Sequence, residues 1–529
     1  MAYKMVDTSK WPTIPDMYRG RSIFITGGSG FMGKVLVEKL LYSCPDLEKI
    51  YLLLRPKRGL SEEARIVEMM KLPVFERIRN ERPGATSKVV AIPGDLCAEG
   101  LGLSDEHRAL LQREVSIVFH SAATLKLEAP LKDAIIQNTS GTAKMIELAK
   151  GMKKLEAFMH LSTAFCHVDH LVLEETTNEA PYEPEDLMKS VTWMNDEMLA
   201  ELEKKVLPPN PNTYTFSKRL AETLIKRAER EIPVAICRPS IVVPSLKEPK
   251  PGWVDSLNGP VGILVAAGKG VLRSMHCNPD YHAQVIPVDI AINALISASW
   301  RRIFDKNKYE VQVFNITTGN IAPITWGEVV GRGKKHFHAN PFEGAVWYPD
   351  GEIRSNKYMH MLTLYLFHWV PAILIDCLLF LFGQKRFMIR LQKKISFGLN
   401  LLYFFTTREW VFANENFAAM NKQMCPSDRE TFFQDTENVD QDLYLKNVIL
   451  GARQYCMKED LSTLPAARRH AKRLWWVQQI FWGIIYFYIA YWIISWNDNA
   501  KQFVDTAIGS VKSGITGVVG SVFGGSSAK

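Results

Sequence analysis

Tyr214 and Lys218 have the residue types and the spacing to move a proton. They stand four apart in YTFSK, so a helix would carry both on one face. A phenol that ionises near pH ~10 is a poor acid–base group at neutral pH. A neighbouring ammonium favours the phenolate and eases proton transfer, and a lysine so placed can also hold ribose hydroxyls. The same spacing describes an ordinary surface helix, so the pair needs a hydroxyl partner and a cofactor loop. Ser162 and Thr163 end the apolar run LEAFMHLSTA (155–164). Either could hydrogen-bond a developing oxyanion or simply cap a turn. His120, His160 and His167 lack the spacing of a helical metal motif. No metal site is expected, and His120 and His160 read as packing or lining residues at strand ends.

The candidate cofactor loop is ITGGSGFMGK (25–34), which could spell two nucleotide sites. Read from Gly28 it nearly completes the phosphate loop G-x-x-x-x-G-K-[ST], and read from Gly27 it gives the dinucleotide variant G-x-x-G-x-x-G. Val35 stands where the phosphate loop needs a hydroxyl for magnesium, so the phosphate-loop reading fails there and phosphoryl transfer is the weakest of the rival readings. In the dinucleotide reading Gly27 makes the tight turn, Gly30 admits the pyrophosphate and Gly33 lets the helix pack on the sheet. The helix start adds free N–H groups and a positive dipole end. The next strand ends LLLRPKRG (52–59), with no acid to take a ribose 2′-hydroxyl. Arg55, with Lys57 and Arg58, suits a 2′-phosphate and therefore NADPH. Asp95, in PGDL, could accept from an adenine amino group or cap a turn.

These residues need an α/β frame. RSIFIT (21–26), FMGKVLVEKLLYS (31–43) and KIYLLL (49–54) read as strand, helix and strand around the glycine turn. Further strand-like runs lie at 88–95, 115–123, 155–164 and 233–243, with helical patterns at 133–152 and 214–229. That alternation predicts a Rossmann-type, doubly wound parallel sheet.

Hydrophobic residues at 47% and charged residues at 23% exclude a disordered chain. The net charge of +8 suits anionic ligands or a membrane face. Eight cysteines without a C-x-x-C pair suit reduced thiols facing the cytosol, and the first residues lack a secretory h-region. Residues 474–496 carry no formal charge, are rich in aromatics and follow Arg468, Arg469, Lys472 and Arg473. They predict a C-terminal membrane anchor with a cytosolic flank. The apolar run 361–382 contains His368, Pro371 and Asp376. Polar groups are costly in lipid, so a buried or interfacial helix is expected there at least as strongly as a span.

Together TGGSGFMG (26–33), FHSAATLK (119–126), STA (162–164), YTFSK and CRPSIV (237–242) resemble an extended short-chain dehydrogenase/reductase. Residues 247–275, and the region from HWVPAILIDCLLFLFG (368–383) through REWVFANEN (408–416), narrow the resemblance to the fatty acyl-CoA reductases. It covers nearly the whole chain and weakens only in the tail. The resemblance implies reduction of long-chain fatty acyl-CoA to a primary alcohol and CoA through a retained aldehyde, with two NADPH consumed. Tyr214 would be the proton donor and Lys218 its partner and ribose ligand, with Thr163, favoured over Ser162 by register, beside them. Thr26, Gly27, Gly30, Phe31, Met32 and Gly33 would surround the cofactor, with Arg55, Arg58, Asp95, Leu96, Ala122, Lys218, Pro239 and Ile241. Ser29 and Met32 replace the family's usual residues without changing size or character.

The implied division is a lead-in (1–20), a reductase domain with its substrate segment (21–345), a helical domain (346–465), a membrane helix (474–496) and a flexible tail (497–529). Expected partners are long-chain acyl-CoA and the endoplasmic reticulum or peroxisomal membrane, not nucleic acid. A sterol dehydrogenase or sugar epimerase would share the loop and the Tyr/Lys pair; only 247–275 and the C-terminal region separate those readings. A non-catalytic scaffold would not need Tyr214 and Lys218.

Overall fold

The computed structural model describes residues 8, 10–55, 59–305, 307, 309–318, 323–494, 496 and 506. Lys57, Arg58, much of the lead-in and nearly all of the expected tail lie outside the described residues. The glycine turn joins β1 (Ser22–Thr26) to helix α1 (Phe31–Ser43). Then follow β2 (Ile50–Leu54), β3 (Val89–Pro93), β4 (Val115–His120), β5 (Ala157–Leu161), β6 (Val234–Pro239) and β7 (Gln312–Ile316). These seven strands form one sheet, ordered β7-β6-β5-β4-β1-β2-β3, with every neighbouring pair parallel. The order reverses between β1 and β4, where a doubly wound sheet opens its ligand crevice.

Both faces of the sheet are covered, which is why its strands are apolar throughout. Ile23 and Ile25 point to the side of α1 and of the buried helix α3 (Val288–Phe304). Phe24 points to the other side, among Met145, Leu148, Leu224 and Ile225. That second layer holds α2 (Thr213–Arg227) and the helix over 131–150, which contains a wider turn at Ile135–Ser140. The expected strand at 233–243 divides: after Pro239 the chain leaves the sheet, and Ile241–Val243 pairs with Val285–Pro287. The β7 edge strand was not anticipated, because QVFNI is short and β6 already satisfied the alternation pattern.

Beyond residue 340 the chain has two characters. Phe417, Met420, Met424 and Phe432 return into the core shared by α1 and α3. By contrast α4 (Lys357–Leu381) and α5 (Met388–Thr406) form a hairpin, and α6 (Leu464–Ile494) is the longest helix. Among the described residues, α4 and the helical stretch ending in α6 are the two helical segments long and apolar enough to cross a membrane. Of the alternatives left open for 361–382, the buried helix is set aside, since only 17% of the most apolar window of α4 is buried, and an interfacial helix or a span remains. Its polar groups are satisfied within the hairpin and by the backbone at Arg273. Asp376 accepts from the backbone of Phe387, Met388 and Ile389 at 3.0, 2.9 and 3.0 Å, closing the start of α5. His368 accepts from Arg273 N at 2.9 Å.

Candidate active site

The glycine turn is shaped by contact. Gly27 has φ +77°, and a Cβ there would stand 2.8 Å from Ala122 N. A Cβ on Gly33 would lie 2.2 Å from Gly27 O, so only glycine lets α1 close on the turn. Gly30 begins α1 without a side-chain cap, which leaves the first N–H groups turned to the crevice. Lys34, the lysine a phosphate loop would use, instead pairs with Asp255 at 2.6 Å. Phe31 stacks on Trp253 at 5.4 Å, so residues 253–255 of the substrate segment brace the start of α1.

A cavity of about 720 Å³ opens along the C-terminal edge of the sheet. At one end it meets Gly27, Gly30, Phe31, Met32 and Gly33. Arg55, Asp95, Leu96 and Ala122 line the same end, and Pro239 and Ile241 lie further along. Ser162, Thr163, Tyr214 and Lys218 also face it. The cradle therefore fits a dinucleotide: a glycine-rich turn, an uncapped helix start and an arginine beyond β2. Of the expected cofactor residues Arg58 lies outside the described residues, and Thr26 sits below the wall. The Thr26 hydroxyl accepts from Ala122 N at 3.2 Å and bonds His120 Nδ1 at 2.8 Å. His120 and His160 pair across β4 and β5, and burial pulls the His120 imidazole down to about 3, leaving it neutral.

Asn212 caps α2, its side chain accepting from Thr215 N, and this sets Tyr214 in the first turn. Thr163 and the Tyr214 phenol line the same stretch of the cavity, and the Thr163 hydroxyl favours the ionised phenol. Burial nevertheless raises that phenol above its ordinary value, with Cys166 adding to the rise and Thr163 opposing it. The expected lowering by Lys218 is corrected. Lys218 Nζ donates to Leu161 O at 2.6 Å, and burial brings the ammonium down to about 8 against the pull of Glu222. Ser162 Oγ is buried without a nitrogen or oxygen partner.

Glu222 was missed, although Tyr214, Lys218 and Glu222 repeat at steps of four and so fall on one helix face. Its carboxylate accepts from Arg238 Nε at 2.9 Å and Nη2 at 2.5 Å, and both residues are fully buried. Burial opposes the charge, but Arg238 and His167 hold the Glu222 carboxyl well below the usual range. Cys166, His167 and Glu222 lie close enough to share a metal ion; here Arg238 occupies the carboxylate, and His167 and Cys166 bond it at 3.1 and 3.3 Å. Arg65 was also missed. It lines the cavity and donates to Arg55 O, but nothing in LSEEARIV marks it.

The other end of the cavity is apolar and comes from distant segments. Leu264 and Ala267 belong to the helix Pro260–Gly268, and Val329, Val330 and Phe337 to the helix Trp326–Ala339. Leu402 and Phe405, on the last turns of α5, complete it with Met275 and Leu445.

Comparison with known proteins places this arrangement. Two family models, each described as male sterility protein, match residues 25–295 and 367–459. Fatty acyl-CoA reductase 1 of Xenopus laevis is 38% identical over 87% of this chain and 90% of its own length. Fatty acyl-CoA reductase 1 of Homo sapiens is 36% identical over the same shares, and human fatty acyl-CoA reductase 2 is 35% identical. Among solved structures, the reductase domain of a nonribosomal peptide synthetase from Mycobacterium tuberculosis superposes with TM-score 0.55 at 17% identity, covering 84% of this chain and 94% of that one. The terminal reductase domain of the myxalamid pathway gives 0.53 at 18% identity, covering 87% and 96%. At such identities these structures speak for the fold alone.

Proposed function

The chain belongs to the fatty acyl-CoA reductase family, and from that premise we propose that it reduces long-chain acyl-CoA to a primary alcohol with NADPH. The observation that carries this reading is the single cavity that joins the glycine turn and the Tyr214–Thr163 pair to an apolar end. The glycine turn and the start of α1 would hold the pyrophosphate, and Arg55 with Arg65 would meet a 2′-phosphate. When bound, the nicotinamide supplies hydride, twice for each acyl group.

Tyr214 and Thr163 then meet the oxygen of the thioester carbonyl as it gains charge. The raised phenol stays protonated at neutral pH, so it serves as a donor rather than as a base. The tetrahedral species loses CoA thiolate as the C–S bond breaks, leaving aldehyde. On the second reduction Tyr214 gives its proton to the alkoxide. Lys218 would orient the ribose from its anchor on Leu161 O. The apolar end would hold the acyl chain and keep the aldehyde from leaving between steps. The α6 helix would anchor the enzyme with its catalytic part in the cytosol, at the endoplasmic reticulum or the peroxisome.

The test is product analysis with palmitoyl-CoA and either NADPH or NADH. Alcohol should form with two NADPH oxidised per CoA released, and NADH should be the poorer donor. Free aldehyde released in amounts equal to the alcohol would sink the retained intermediate. Equal rates with both cofactors would sink the assignment of Arg55 and Arg65.

A further inference from the structure

The α4–α5 hairpin, like α6, turns large apolar side chains outward. Leu366, Ile373, Leu374, Phe380, Phe382 and Phe397 stand out from it, whereas the helices that flank the sheet bury such residues. Exposed apolar patches on this scale mark a binding face. Around the turn and the first half of α5, Lys385, Arg386, Arg390, Lys393 and Lys394 are all exposed. None of the five forms an ion pair among the described residues; Arg386 instead lies over the Phe380 ring at 5.3 Å. An apolar face bordered by unpaired cations matches an anionic lipid surface, because the alkyl stems reach back to the headgroups while the rings enter the acyl layer.

Two features show how the hairpin would sit. Its exposed face is continuous with that of α6, since Phe367 meets Trp482 at 5.7 Å. A hairpin that crossed the bilayer would have to carry Arg390, Lys393, Lys394 and Asn400 of α5 through hydrocarbon, which is costly. The base of α5 is also a wall of the cavity. Leu402 and Phe405 line it, and Thr406 Oγ1 donates to His276 O at 3.0 Å. Beside it the His276 ring stacks on His360 at 5.7 Å, so α4 and α5 close on the same short strand.

We propose that the α4–α5 hairpin is a second membrane element, bedded in one leaflet of an anionic bilayer at the apolar end of the cavity. It rests on the acyl-CoA reading only in what the cavity is said to hold. In that position an acyl chain enters, and an alcohol leaves, along the leaflet and not through water.

The full chain is reconstituted in phosphatidylcholine vesicles with or without phosphatidylserine, with photoreactive benzoylphenylalanine at Phe380 or Phe397. Lipid adducts are expected at both positions, with higher yield when phosphatidylserine is present. Replacing the five cations together (K385Q/R386Q/R390Q/K393Q/K394Q) should remove that gain, since each cation at an anionic surface is worth about fivefold in partitioning. Adducts to a second copy of the chain, or no adducts, would overturn the proposal. Equal yields in both vesicles, unmoved by the five substitutions, would make the hairpin a plain span and overturn it as well. Benzoylphenylalanine at Phe487 reads α6 separately. Lipid adducts there, with none at Phe380 or Phe397, would refute the hairpin and leave the anchor standing. Alcohol formation by the wild-type chain in detergent would show that the reductase reading survives either result.

Discussion

The two ends of the cavity were built by different rules. The cofactor and proton end comes from short local motifs at the C-terminal ends of β1, β2, β4, β5 and β6, each a few residues long. The apolar end comes mainly from three separate helices, the first and last more than a hundred residues apart, meeting only through tertiary packing. The first end is hydrogen-bonded: Tyr214, Lys218 and Glu222 rise on one face of α2, with Lys218 held by Leu161 O and Glu222 by Arg238. The second end is lined mainly by apolar side chains and is shaped by their volume. Chemistry should therefore fail sharply when the first end is altered, and shift gradually when the second is.

The largest expected effect is at the first end. Tyr214→Phe keeps the ring and removes the proton, so alcohol formation should fall by ~10²–10⁴-fold. The KM for acyl-CoA should stay near its original value, because the lost interaction belongs to the transition state. A variant with unchanged turnover would show that the proton comes from elsewhere.

Next in size is Glu222→Gln, which leaves Arg238 buried without its counter-charge. Breaking a buried pair from one side costs about 3–5 kcal/mol, to be read by denaturant unfolding. Replacing both partners, Glu222→Leu with Arg238→Met, should cost less than the single change. If the single variant is as stable as the parent, the pair does not hold the floor of the site.

A smaller effect is expected in the pH profile. Lys218 is lowered by burial to about 8, so its ammonium is present below that pH and lost as pH rises through it. Activity that needs the charged form should fall above pH ~8, by up to tenfold per unit. Lys218→Arg, which stays charged throughout this range, should push that limb upward even if it lowers the maximum. A limb that does not move would separate Lys218 from the titration.

How much of this could be read in the sequence follows the same division. The glycine turn was legible because steric exclusion is local: Gly33 must lack a Cβ whatever the rest of the chain does. Tyr214, Lys218 and Thr163 were legible as types, but their protonation was not. Burial raised the Tyr214 phenol and drew Lys218 to a backbone carbonyl, and burial is set by the whole fold. Glu222 carried a readable signal in its spacing, while its partner Arg238 lies on a strand that periodicity cannot connect to it. The sheet was recovered except for β7 and the break after Pro239. The 361–382 run was left undecided because His368 and Asp376 look costly in isolation, yet they are satisfied by Arg273 N and the start of α5.

The smallest expected change tests the apolar end directly. Leu402 is half-buried on α5 and faces the cavity, so Leu402→Trp should fill volume without touching Tyr214 or the glycine turn. If the acyl chain lies there, the longest substrates lose room first. Each excluded methylene forgoes about 0.8 kcal/mol of burial, and two would lower kcat/KM for the longest acyl-CoA by roughly tenfold. Shorter acyl-CoAs should be turned over as before, which moves the optimum down the series without lowering its peak. Phe405→Ala should move it the other way. A uniform loss at every chain length would mean that Leu402 supports the proton end after all, and the contrast between the two ends would fail; unchanged profiles in both variants would place the acyl chain elsewhere in the cavity.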